Sequence, residues 1–125
     1  MKQHEKLDYV EFPAARPERT REFFRQAFGW SFEEFGPDYC AFSDQGLDGG
    51  FYRSELYSTT RSGAALLVFY SEDLEATLAR IEAAGGRIEK PIFAFPGGRR
   101  FHFCEPSGNE FAVWSDQPAP RPRGD

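Results

Sequence analysis

Several things are scarce in this 125-residue sequence, which holds only two cysteines, two histidines and one methionine. The longest apolar run, Ala64 to Tyr70, is the length of a strand and far short of the roughly 20 residues a membrane-spanning helix needs. Cys40 and Cys104 lie far apart and follow no metal-binding spacing, which predicts buried, reduced thiols and a cytoplasmic location. Residues 1–6 carry no apolar segment of the kind a secretory signal requires. Basic residues are outnumbered, 15 against 20 acidic, giving a net charge of −5 and a pI near 5.1. With no basic stripe to neutralise phosphates, nucleic acid is excluded as a partner. There is also no P-loop, no Gly-x-Gly-x-x-Gly and no Ser–His–Asp order.

Aromatic residues are abundant: 14 Phe, five Tyr and two Trp. In a chain long enough for one core and too short for two full domains, they must fill that core and line any pocket. The clearest local pattern is a β-hairpin from Arg99 to Asp116, turning at Glu105-Pro106-Ser107-Gly108-Asn109. Gly108 and Asn109 both tolerate positive φ. Pairing Cys104 with Glu110 sets His102 beside Ala112 on one face, and Phe101, Phe103, Phe111 and Val113 share the other. The second set reads as core and the first as the wall of a site.

The chain reads as a repeat. Leu7–Pro13 is strand-like, and a helix from Pro17 to about Phe28 ends at Gly29. Strands follow near Ser31–Phe35, Tyr39–Ser43 and Gly50–Arg53, then a polar linker, Ser54–Gly63. The pattern restarts with a strand at Ala65–Tyr70 and a helix that Ser71 can cap, stopped by Gly85-Gly86. Arg87–Phe95 and the hairpin complete it. Shifted by 57 positions, Glu18 falls on Glu75, Thr20 on Thr77, Phe24 on Ile81, Ala27 on Ala84 and Gly29 on Gly86. The expected fold class is therefore α+β: two βαβββ modules, about 7–53 and 65–116, forming a curved mixed sheet around a cleft with helices outside. Residues 1–6 and 117–125 are expected to be disordered.

The turn Glu105–Asn109, the pair Phe23-Phe24 with Phe28-Gly29-Trp30, and the helix from Asp73 to Ala83-Ala84-Gly85-Gly86 resemble the vicinal oxygen chelate superfamily. That superfamily includes glyoxalase I, bleomycin-resistance proteins and extradiol dioxygenases. The resemblance implies four metal-ligand positions, which fall here on Tyr9, Leu66, Ala112 and an aromatic at Phe51 or Tyr52. Leucine and alanine offer no donor and a phenol is a poor one, so the same resemblance predicts no metal and no cofactor. Arg16 stands where many members carry a capping Asp.

Strand alternation puts Tyr9, Glu11, Leu66, Val68, Tyr70, His102, Cys104, Glu110, Ala112 and Trp114 on the cleft side, with Glu110 reaching solvent beside the turn. Tyr9, Tyr70 and Trp114 are flat walls for a planar ligand. Glu11 either accepts structural hydrogen bonds or pairs with an arginine, or it contacts a polar ligand group and acts as a base with His102 as acid. Arg99-Arg100 after Gly97-Gly98 reads as an ordinary turn into a strand before it reads as an anion site. The leading expectation is metal-independent binding of an apolar or aromatic small molecule through Tyr9, Glu11, Leu66, Val68, Tyr70, His102, Ala112 and Trp114. The alternative is a lyase- or dioxygenase-type enzyme with non-standard ligands or a metal-free acid–base site at Glu11 and His102. A dimerisation module is a third reading. Partners are expected to be a small molecule and a second copy of the chain, with neither nucleic acid nor membrane.

Overall fold

The computed structural model describes residues 2–120. Ten elements follow the order read from the sequence: β1 (Tyr9–Ala14), α1 (Pro17–Phe28), β2 (Glu33–Glu34), β3 (Tyr39–Phe42), β4 (Asp48–Arg53), β5 (Leu67–Tyr70), α2 (Leu74–Ala83), β6 (Arg87–Phe95), β7 (Gly98–Cys104) and β8 (Glu110–Ser115). They form two four-stranded mixed sheets, ordered β1-β4-β3-β2 and β5-β8-β7-β6. In each, the first strand pairs in parallel with the last of its module, and the remaining pairs are antiparallel. No helix is long and apolar enough to cross a membrane among the described residues. Of the expected disordered ends, Met1 and residues 121–125 lie outside the described residues.

The hairpin register matches expectation, with His102 opposite Ala112 and Cys104 opposite Glu110. Phe101, Phe103, Phe111 and Val113 are accordingly all buried. They join Phe12, Phe51, Phe23, Phe24 and Trp30 in one core shared by both modules. Phe12 of the first sheet meets Phe111 of the second at 5.0 Å between ring centroids. Tilted and edge-on pairs of this kind fill space while matching ring quadrupoles. Gly49 makes room for this packing, since a Cβ there would stand 2.5 Å from the Phe42 ring. Cys40 and Cys104 are both free and buried.

α1 ends as expected on Gly29, which adopts φ 72° while its N–H bonds back to Arg25 O. α2 starts differently. Asp73, not Ser71, is its N-cap, and its Oδ1 accepts from the Ala76 N–H at 3.1 Å. Ser71 lies a step earlier, where its hydroxyl is 2.7 Å from that of buried Thr77 and accepts from the Asp73 N–H. β2 is shorter than Ser31–Phe35, and β5 begins one residue beyond Leu66.

The two modules are fastened at the Glu105–Asn109 turn. Gly108 takes the positive φ (97°), whereas Asn109 does not and acts through its side chain. Fully buried, Asn109 donates from Nδ2 to Pro13 O (2.7 Å) and to Glu105 Oε2 (2.5 Å), and accepts the Ser58 N–H at Oδ1 (2.8 Å). The second Glu105 oxygen accepts from the Thr20 hydroxyl of α1 (2.6 Å) and the Ser107 N–H (2.6 Å). Burial raises the Glu105 pKa above the ordinary carboxylate value, against the pull of these donors. Asn109→Ala strips partners from buried Pro13 O and Glu105 and from the half-buried Ser58 N–H at once. Urea unfolding should show it less stable by about 1–3 kcal/mol or more, the usual cost of orphaned buried groups.

Candidate functional site

Each sheet has one face in the core and one turned away from it. On the first sheet the outward face carries Tyr9, Glu11, Tyr39 and Gly50, because β1, β3 and β4 align Glu11 with Gly50 and Gly50 with Ala41. The Tyr39 hydroxyl donates to Glu11 Oε2 (2.9 Å) and lies 2.5 Å from the Tyr9 hydroxyl. Since each phenol has one proton, the order of donation is Tyr9 to Tyr39 to Glu11. Gly50 is required here, because a Cβ on it would fall 2.1 Å from the Tyr39 oxygen. Burial, then the bonds to Tyr9 and Glu11, push the Tyr39 phenol well above its ordinary pKa. Glu11, expected either as a hydrogen-bond acceptor or as a ligand-binding group, is exposed and accepts from Tyr39.

The outward face of the second sheet is organised in cross-strand rows. One row runs Tyr70, Trp114, Arg100, Phe93 across β5, β8, β7 and β6. The next runs Val68, Ala112, His102, Lys90. Tyr70 and Trp114 meet edge-on at 5.2 Å, and the Tyr70 hydroxyl donates to Asp116 Oδ1 (2.6 Å). His102 is only 3% exposed. Its Nδ1 faces Glu110 Oε2 at 2.7 Å and its Nε2 faces Arg100 Nη2 at 2.8 Å. A guanidinium can only donate, so Nε2 is the acceptor and the ring proton sits on Nδ1, pointing at Glu110. Ala112 beneath it is fully buried.

Glu110 does not reach solvent, in contrast to expectation; it is 4% exposed. The segment read as a linker is responsible. Thr60 donates both its N–H (2.8 Å) and its hydroxyl (2.9 Å) to Glu110 Oε1, and the Glu110 N–H donates to Ser58 O. Burial works to raise the Glu110 pKa, but the Thr60 N–H, the His102 ring and the Thr60 hydroxyl outweigh it and hold the carboxyl below its ordinary range. Sequence periodicity could not reveal this, because Ser54–Gly63 has none; only its threonines and serines hinted at hydrogen bonding.

A third feature lies between the modules. A cavity of about 390 Å³ is bounded by Val10, Phe12, Trp30, Phe42, the loop Gln45–Leu47, and Leu67 to Tyr70 with Phe111. Among the expected ligand-contacting residues, Val68 and Tyr70 line it, while Tyr9, Glu11, Leu66, His102, Ala112 and Trp114 do not. β1 presents Val10 and Phe12 to it, the opposite strand parity from Tyr9 and Glu11. No hydrogen bond or ring contact joins the Glu11 group to the His102–Trp114 group among the described residues.

The metal-ligand positions implied by resemblance are Tyr9, Leu66, Ala112 and either Phe51 or the exposed phenol Tyr52. Phe51 is buried in the core, Ala112 is buried without a donor, Leu66 has none, and the Tyr9 hydroxyl is engaged with Tyr39. No three His, Cys, Asp or Glu side chains converge to hold a metal among the described residues. This donor set does not fit a divalent cation.

Paired βαβββ modules of this kind define a fold shared by many solved structures. One is a glyoxalase-related enzyme from Fulvimarina pelagi, 16% identical with a TM-score of 0.75 over 89% of this chain and 88% of that one. Another is a glyoxalase/bleomycin resistance protein/dioxygenase family enzyme from Burkholderia phytofirmans PsJN, 18% identical with a TM-score of 0.74 over 90% and 99%. TioX from Micromonospora sp. ML1 is 19% identical, with a TM-score of 0.68 over 90% and 99%. No curated protein matches the sequence. The profile of the Glyoxalase/Bleomycin resistance protein/Dioxygenase superfamily matches residues 6–113, and the chain belongs to that superfamily.

Two outcomes follow from the site's geometry. Because the Glu110 pKa is lowered by folding, its contribution to stability is present above the unfolded carboxylate value of 4.5 and fades as pH falls through the lower folded value. Glu110→Gln should therefore be clearly less stable than wild type at pH 7, with the gap narrowing towards pH 3 in urea titrations. Gly50→Ala should displace Tyr39 from Glu11, seen as a fall in the Tyr39 phenol pKa by ultraviolet titration.

Proposed function

We propose that the protein is a metal-independent small-molecule binding protein whose ligand is apolar or aromatic. The observation that carries this reading is the cavity between the modules, walled by Phe12, Trp30, Phe42, Phe69, Tyr70 and Phe111. Concave sites rich in aromatic side chains and poor in polar ones suit a flat apolar molecule. Trp114 lies outside the lining and meets it through its edge-on contact with Tyr70. The absence of donor atoms at Leu66 and Ala112 supports recognition without a metal. Acid–base catalysis by Glu11 and His102 has less support, since both ring nitrogens of His102 are already engaged. Pairing of two copies is part of the same proposal. Leu56 and Tyr57, 70% and 60% exposed, leave apolar surface for a partner chain to cover.

The neutral fluorophore N-phenyl-1-naphthylamine should bind saturably, one per chain, with an affinity that EDTA does not change. Tyr70→Ala, which removes an aromatic wall of the cavity, should weaken it by about 1–3 kcal/mol, the usual loss of an aromatic anchor. A lack of saturable binding, or loss of binding on chelation, would count against the reading. Light scattering at micromolar concentration should give twice the chain mass.

A further inference from the structure

Arg99 and Arg100 are adjacent in β7 and point to opposite faces. Arg99 forms a two-pronged ion pair with Glu75 of α2, at 2.5 and 3.2 Å, which neutralises it. Arg100 has no such partner. Within 4.0 Å of its guanidinium there is no carboxylate among the described residues, although Arg21, Arg25, Arg53, Arg87 and Arg99 each have one. One of its nitrogens donates to His102, and its Nε, like that of Arg99, is buried with no acceptor among the described residues. The guanidinium carbon sits 5.8 Å from the Phe93 ring centroid and 5.9 Å from that of Phe95, so aromatic faces hold the fork in place.

Its surroundings reinforce the imbalance. Lys90 stands across from His102 in the neighbouring row and has no ion-pair partner among the described residues. The nearby acid, Glu110, is occupied by His102 and Thr60. On the outward face of the second sheet Arg100 and Lys90 thus stand on the β7 and β6 side, with Asp116 at Tyr70 on the other side. A buried donor without an acceptor costs free energy, which an incoming anion would relieve. Arginine presents parallel donors matched to a planar carboxylate.

We propose that Arg100 is an anion-recognition residue and that the ligand class is a flat aromatic carboxylate. This deepens the binding function proposed above and rests on it. Tyr70 borders the cavity, and Trp114 and Arg100, which lie outside its lining, are the next two members of Tyr70's row on the outward face. At strand spacings of about 4.8 Å, Arg100 lies roughly 10 Å from Tyr70 across the sheet. An aromatic acid lying along the row would set its rings against Tyr70 and Trp114 and its carboxylate on the guanidinium. At the far end of the row the Tyr70 hydroxyl is bonded to Asp116, so the orientation is fixed by charge.

The test compares 2-naphthoate with its neutral analogue 2-naphthalenemethanol by isothermal titration, for wild type, Arg100→Met and Arg100→Lys. Circular dichroism and thermal melts confirm that each variant is folded. Wild type should favour the acid by tenfold or more. Arg100→Met should lose that preference while still binding the alcohol, and Arg100→Lys should keep part of it. The Arg100 Nε–H resonance should also shift when naphthoate is added. Equal wild-type affinities would overturn the role of Arg100 and leave the aromatic site standing. A preference for the acid that survives in Arg100→Met would overturn it too, by placing the anion elsewhere. If neither compound binds wild type, both this inference and the binding function fail. Should Arg100→Met not fold, Arg100→Lys and the Nε–H shift decide, and an unmoved resonance with naphthoate bound is against the proposal.

Discussion

A buried carboxylate holds this molecule together. Glu105 sits almost without solvent, and it is tolerable there only because Thr20, Ser107 and Asn109 supply donors to both of its oxygens. These partners come from different parts of the fold: α1 of the first module and the β7–β8 turn of the second. Asn109 extends the connection to Pro13 at the end of β1 and to Ser58 between the modules. The relative placement of the two sheets follows from where these groups must meet. So does the position of the cavity that opens between them.

The second sheet carries a comparable arrangement on its outward face. Glu110 follows Asn109 directly, so the turn that fixes one residue in the inter-module knot also sets the other beneath His102. Thr60 closes over it from the connecting segment. The result is an ordered chain of donation from Arg100 through His102 to Glu110, with Thr60 completing the far end. Arg100 is thereby held by polar contacts on one side and by Phe93 and Phe95 on the other.

Most of the fold was legible because it depends on local periodicity. The alternation in Phe101–Val113 gave the hairpin register, and the offset between Thr20 and Thr77 revealed two modules whose threonines are both buried in the structure. Ser71 and Asp73 are both good capping types two residues apart, and only backbone geometry assigns the cap of α2 to Asp73. The site was less legible. Burial of Glu110 depends on Thr60, fifty residues away along an aperiodic segment, and no pattern within either stretch announces it. The Gly49-Gly50 pair was the strongest unread signal. Adjacent glycines inside a strand mark close approach on both faces, here by Phe42 and Tyr39.

The fastening at Asn109 also bears on how the chain reaches its native state. Its bond to Pro13 spans 96 residues, and the parallel partner of β5 is the last strand among the described residues. Contacts so distant in sequence slow folding, because the chain must lose the entropy of closing a long loop before they can form. On a ribosome, the first module emerges with Pro13 and Thr20 still lacking their partners, and Phe12, though stacked on Phe51, lacks its contact with Phe111 until that residue is synthesised. The aromatic surface that later forms the cavity is therefore open to misassociation during synthesis, and the chain's net charge of −5 works against it by keeping copies apart.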